Sequence, residues 1–215
     1  MEAMQSLFSR MHAASRAEIE PSLAVRRHRL DMLERLLREN ETAFAEAISA
    51  DFGHRSPHET RLLEVFPSLE GLRHARRHLR GWMRPQRRPV SLWFQPGRAQ
   101  VRYQPLGVVG IIVPWNYPLY LAIGPLTAAL AAGNRALVKM SEFTPATASL
   151  FAELIAANFA EDEVSVVQGD ASVAHSFSQL PFDHLLFTGS TPVGHHVMRA
   201  AAENLTPVTL ELGGK

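Results

Sequence analysis

Apolar positions in the front of the chain recur at helical spacing. Leu23, Leu30, Leu33, Leu37, Phe44 and Ile48 form a one-sided stripe, which predicts helix through residues 17–80. Asn40 divides this stretch, Gly53 stops its first part, and a second helical piece is expected over Pro57–Arg80. The outer faces are charged, so these helices read as a layer packed on another body. Residues 81–105 differ: Pro85, Pro89 and Pro96 alternate with Trp82, Trp93 and several arginines, predicting a loop and hairpin with a short strand at Val101–Tyr103. From Leu106 onward the pattern is strand, helix, strand, repeated. Strands are expected at Gly107–Val113, Arg135–Lys139, Val164–Val167, Asp183–Phe187 and Pro207–Leu212. The helices between them are expected at Pro118–Ala132, Pro145–Phe159 with Thr144 as N-cap, Ala171–Leu180 and Val193–Glu203. Near-continuous apolar strands alternating with helices predict an α/β fold, a parallel sheet covered on both faces.

Composition narrows the function classes. The 215 residues are 46% hydrophobic and 20% charged, with a net charge of +1, so the chain is globular and no overall field draws it to nucleic acid or anionic lipid. There is no cysteine, which removes disulfides, thiolate metal sites and a thiol nucleophile from these residues. Residues 1–15 lack the apolar run of a signal peptide. Leu106–Leu137 is interrupted by Pro114, Asn116, Pro118, Pro125, Asn134 and Arg135, and is not read as a membrane span. A cytoplasmic protein is expected.

Ligands of parallel sheets bind beyond the carboxyl ends of the strands. After the first strand, Pro114 and Pro118 bracket a rigid turn in which Asn116 offers an amide donor. After the second stand Lys139, Ser141 and Glu142, a cation and a carboxylate suited to sugar or phosphate oxygens. After the fourth, Thr188–Gly194 is a small, hydroxyl-rich turn into a helix, where free N–H groups could face an anion. Glu211 ends the last strand. Neither GxGxxG nor GxxxxGK[ST] occurs.

These pieces together resemble the aldehyde dehydrogenase superfamily: GVVGIIVPWNYP (107–118), AGNRALVKMSEFTP (132–145), PFDHLLFTGSTPVG (181–194) and LELGGK (210–215). The wording of 181–191 and of the RPQRRPVSLWFQPGRA segment is similar to the class 3-like branch that contains coniferyl aldehyde dehydrogenases. The resemblance implies a truncated aldehyde dehydrogenase fold: an amino-terminal helical layer over 1–80, a linker and hairpin over 81–105, and an incomplete Rossmann-like NAD(P)-binding domain over 106–215. It implies NAD(P)-dependent oxidation of an aldehyde to the carboxylic acid, with Asn116 stabilising the oxyanion and Glu211 as general base. Such a base should sit near a strand end and be partly desolvated. The resemblance puts Lys139, Ser141 and Glu142 around the adenine ribose and Gly189, Ser190 and Val193 at the pyrophosphate and adenine. Ile112, Val113, Pro114 and Trp115 form the cleft wall, and Leu212 and Gly213 lie near the nicotinamide. Glu142 favours NAD over NADP, since a carboxylate repels a 2′-phosphate. Met140 stands where the family commonly has proline. The family's nucleophilic cysteine lies beyond Lys215, so the chain is expected to be an inactive amino-terminal piece; the complete enzyme is expected to be a homodimer acting on a small aldehyde.

Two other readings follow from the residues. One is a non-catalytic NAD-binding remnant. The other, disfavoured, is a nucleic-acid-binding module through residues 71–90, which carry seven arginines, no acid and Trp82. A metal site is not expected, because His195 and His196 are adjacent and the His74–His78 pair shows no third ligand.

Overall fold

A computed structural model describes residues 2–213; Met1 lies outside them, as do Gly214 and Lys215, the end of the LELGGK motif. Helices α1 (Glu2–Ala17), α2 (Leu23–Glu39), α3 (Glu41–Phe52) and α4 (Pro57–Thr60) are followed by a single π turn, Arg61–Val65, and α5 (Phe66–Trp82). A short antiparallel ribbon, β1 (Gln86–Arg88) and β2 (Ala99–Val101), comes next. The remainder is β3 (Val108–Ile112), α6 (Tyr120–Ala132), β4 (Arg135–Lys139), α7 (Pro145–Asn158), β5 (Val164–Val167), α8 (Ala171–Ser178), β6 (His184–Ser190), α9 (Thr191–Ala202) and β7 (Val208–Gly213). The five longer strands pair in the order β5-β4-β3-β6-β7, all parallel.

Every residue of β3 and β4 is buried, which is why these strands read as continuous apolar runs. Successive side chains alternate between two cores. Val109, Ile111 and Val113 join α2, α3, α5, α6 and α7 on one face. Val108, Ile112, Leu137, Leu185 and Phe187 join Phe8 and Met11 of α1, Phe177 of α8 and Val197 and Ala201 of α9 on the other. The front helices therefore do not form one layer: α1, which the stripe beginning at Leu23 did not include, crosses to the far face. Its own stripe, Met4, Leu7, Phe8 and Met11, has helical spacing and packs there.

Three local expectations are corrected. The helix expected over Pro57–Arg80 is broken by the π turn, so Glu64 points inward. Thr144 makes no capping bond; instead Asp51 of α3 accepts from the Ala146 and Thr147 N–H groups, both at 2.9 Å. β6 runs three residues past Phe187, so Thr188, Gly189 and Ser190 are strand and α9 starts at Thr191. At the end of α6, Gly133 adopts φ 89°, the left-handed cap that glycine reaches without strain.

Candidate functional site

The carboxyl ends of β3 and β6, the loop after β4 and helices α8 and α9 enclose a cleft of about 450 Å³. Ile112, Val113, Pro114 and Trp115 line it from the end of β3 and the turn after it, Ser141 and Glu142 from the loop, Gly189 and Ser190 from the end of β6, and Val193 from the first turn of α9. It is also lined by Thr188, the first residue of the expected hydroxyl-rich turn, and by Phe143, His175, Ser178, Phe187 and His196, which the sequence reading did not place at a ligand site. His196 follows Val193 by three positions and so shares its helix face, a signal present in the sequence. His175 and Ser178 enter only because α8 packs beside α9, which local pattern does not reveal.

The middle of the cleft suits an anion. α9 begins with Pro192 in its first turn, and Ser190 at its N-cap makes no side-chain capping bond, so first-turn N–H groups open on the cleft. Gly189 keeps the backbone low there: a Cβ at this position would lie 2.5 Å from the Phe187 ring. At one end Glu142 is exposed and available as an acceptor. Lys139 shares the sheet face of Leu137, but it is fully buried and does not form part of the wall. Its Nζ donates to the Met140 carbonyl at 2.6 Å, with Glu142 Oε2 at 3.9 Å. Burial pulls the Lys139 ammonium below the ordinary lysine range, against the opposing pull of Glu142 and Asp170.

The register relates the two candidate catalytic residues. Ile112 pairs with Phe187 and Phe187 with Leu210. Glu211 stands one residue beyond that row and Asn116 four residues beyond it, both at the carboxyl edge. Leu210 packs on the α1–α8–α9 core, and Leu212 lies against Gly194 of α9. By alternation Glu211 points to the opposite face, the side on which the chain turns at Asn116 into α6. Glu211 is exposed rather than partly desolvated, because β7 is the sheet's last strand among the described residues. Leu212 and Gly213 are exposed at the end of β7 and outside the cleft wall.

Other features bear on the remaining readings. A larger hollow, about 810 Å³, runs along the outer side of α6 against α5 and reaches Leu106 and Asn134 at the amino ends of β3 and β4, away from the helix N-terminus and Glu142. In the arginine-rich stretch, Arg73 pairs with Glu34 and Glu70, and Arg76 with Asp31, so these charges are matched locally. Among the described residues no group of three or more His, Cys, Asp or Glu side chains is placed to hold a metal ion. No helix among them is long and apolar enough to cross a membrane.

A family model described as the aldehyde dehydrogenase family matches residues 2–215. The chain is 59% identical over 212 residues to a probable coniferyl aldehyde dehydrogenase of Pseudomonas aeruginosa, covering 99% of this chain and 44% of the relative. It is 50% identical to a coniferyl aldehyde dehydrogenase of a Pseudomonas species, with 100% and 44% covered. Among solved structures, Staphylococcus aureus AldH in a substrate-bound state superposes with a TM-score of 0.95 at 33% identity, covering 99% of this chain and 46% of that one. A Mycobacterium tuberculosis aldehyde dehydrogenase complexed with NAD+ gives 0.80 at 33% identity, covering 94% and 43%. The chain thus spans less than half the length of each.

Proposed function

The chain belongs to the aldehyde dehydrogenase family, and from that premise we propose that it forms the dinucleotide-binding front of an enzyme that oxidises an aromatic, coniferyl-like aldehyde to its acid. The observation that carries this reading is the cleft itself. An anion-accepting helix start, a glycine that keeps the backbone low and a carboxylate at one end are arranged in the order of a pyrophosphate and a ribose diol. NAD+ bound there would supply a hydride acceptor. Glu142 accepts from the ribose hydroxyls and disfavours a 2′-phosphate, which makes NAD+ the preferred form. Ile112, Val113 and Pro114 exclude water along the cleft wall.

The Asn116 carboxamide donates to the oxygen on which negative charge develops when the aldehyde carbonyl is attacked; one such donor is worth about 3 kcal/mol of barrier. Glu211 takes the proton of the water that releases the acid. Their common position at the carboxyl edge, on the side away from α9, supports both roles. The attack requires a thiolate, and these 215 residues contain no cysteine, so the chain alone binds dinucleotide without oxidising aldehyde. Exposed Leu92, Trp93 and Phe94 between β1 and β2 support homodimer formation in the whole protein.

Thermal unfolding with added cofactor tests the reading. At ten times its Kd, NAD+ should stabilise the chain by about 1.4 kcal/mol, a rise of roughly 3–6 °C for this size, and NADP+ should require higher concentration. Absence of any shift with both cofactors at 10 mM would refute dinucleotide binding. Turnover of a benzaldehyde-type substrate by the purified chain would refute its inactivity.

A further inference from the structure

The turn that carries Asn116 is gripped from the front helices by a buried ion pair. Arg55 Nη1 donates to the Asn116 carbonyl at 2.8 Å. The same guanidinium lies between two rings, 4.6 Å from the Tyr117 centroid and 4.9 Å from that of Phe52. Glu64, 0% exposed, accepts through Oε2 from the Leu119 N–H at 2.8 Å and the Tyr120 N–H at 3.1 Å, while Oε1 lies 3.3 Å from Arg55 Nη1. Glu59 Oε1 faces Arg55 from the exposed side at 3.2 Å. Phe52 also meets Trp115, with ring centroids 6.1 Å apart. Residues 115, 116, 117, 119 and 120 are therefore all held from residues 52–64.

A charge pair is costly to bury and is tolerated only where its geometry and hydrogen bonds compensate. Here Glu64 fills two of the open N–H positions at the start of α6, and the π turn is what swings it inward. Pro114 and Pro118 fix φ at either end of the turn, leaving Trp115, Asn116 and Tyr117 as its adjustable residues. Those are the residues that Arg55 and Phe52 touch. None of these contacts uses the Asn116 carboxamide, which stays available.

We propose that Arg55 and Glu64 are positioning residues for the Asn116 carboxamide, fixing the backbone on both sides of it so that the amide meets a developing oxyanion without reorganisation. This rests on Asn116 being the oxyanion donor. Burial raises the Glu64 carboxyl above the ordinary range, while the Tyr120 and Leu119 N–H groups and Arg55 pull the other way, so its partners work against desolvation to hold the charged form.

The test is 15N relaxation of the 215-residue chain, with the Asn116 side-chain resonance assigned by its loss in N116A. R55K keeps the charge but loses the planar fork. E64Q keeps an acceptor for the helix start but loses the charge that holds Arg55. Both are expected to lower the backbone order parameters of residues 115–117 from about 0.85 to below about 0.6 and to mobilise the Asn116 amide, with β3, β4 and β6 unchanged. V65A, a core truncation beside Glu64, should cost stability without that local loosening, and E59Q should leave the turn ordered. If R55K and E64Q fold and residues 115–117 stay rigid, the proposal is overturned. It is equally overturned if V65A loosens the turn as much, which would make the effect one of general stability. Should R55K not fold, E64Q alone decides. No aldehyde is present, so the outcome is independent of whether Asn116 is the oxyanion donor, which kinetics of N116A in a complete enzyme would decide separately.

Discussion

Replacing Asp51 by alanine should damage the cleft's rim more than replacing Thr144, the residue that sequence convention would choose as the cap of α7. Asp51 accepts three hydrogen bonds, from the Ala146 and Thr147 N–H groups at 2.9 Å and from Thr147 Oγ1 at 2.7 Å. Loss of a helix cap costs about 1 kcal/mol and up to about 2. The Thr147 hydroxyl, which is fully buried, would also lose its acceptor, adding about 1–3 kcal/mol. Because these contributions overlap, the expected loss is about 3 kcal/mol, or roughly 6–12 °C in melting temperature for a chain of this length. Thr144 Oγ1 is buried with no hydrogen-bond partner among the described residues. T144V keeps the side chain's shape and removes that unpaired hydroxyl, so it should shift stability by no more than about 0.5 kcal/mol, in either direction. Urea unfolding of both variants, followed by circular dichroism, measures the difference. A T144V loss equal to or larger than the D51A loss would refute the assignment of the cap to Asp51.

Two further outcomes follow from local geometry. Burial holds the His184 imidazole below its ordinary value, whereas the unfolded chain takes up a proton near pH 6.5. The native state should therefore lose stability as pH falls below about 6.5, and H184Q, which does not titrate, should lose less; urea midpoints at pH 7 and pH 5 that fall in parallel would contradict this. G189A places a methyl 2.5 Å from the Phe187 ring, forcing movement in the cleft. It should weaken NAD+ binding at least tenfold by calorimetry, and an unchanged affinity would remove Gly189 from the proposed cofactor site.

Much of this was legible in the sequence because it depends on local pattern. β3 and β4 were visible as apolar runs, since a strand covered on both faces has no polar alternation to blur it, whereas β7 was visible through alternation, with Thr209 and Glu211 between Val208, Leu210 and Leu212. Reading the strand ends picked out the turn from Pro114, Ser141 with Glu142 and the Thr188–Gly194 turn, the family resemblance added Ile112 and Val113, and these line one cleft. What stayed hidden depends on contacts between distant segments. α1 carries a helical stripe, but which face of the sheet it covers depends on the distant residues it meets there, Val108, Ile112, Leu137 and Phe182 among them. Lys139 reads as a cleft cation because it ends a strand, yet the chain folds its ammonium back onto the Met140 carbonyl. Glu211 lies in a strand expected to be covered, and its exposure comes from the absence of any described strand beyond β7.

The segment from Asp51 to Glu64 gives the front helices a part in the site that their amphipathic pattern does not suggest. A helix start leaves N–H groups without intrahelical partners, and in a parallel sheet every helix starts at the carboxyl edge, where the ligand also binds. The starts of α6 and α7 therefore have to be satisfied without blocking the cleft. Here neither uses its own N-cap side chain: Glu64 serves α6 and Asp51 serves α7, both reaching in from behind. The start of α9, which receives no such carboxylate, is the one left open toward the cleft. At α8 a third carboxylate, Asp170, accepts from the Ser172 and Val173 N–H groups, so among the described residues α9 is the start within the sheet region that has no carboxylate cap, which fits the anion proposed there. The same segment holds the loop bearing Asn116 and the loop bearing Ser141 and Glu142, so a shift in residues 51–64 would be felt at both edges of the cleft together.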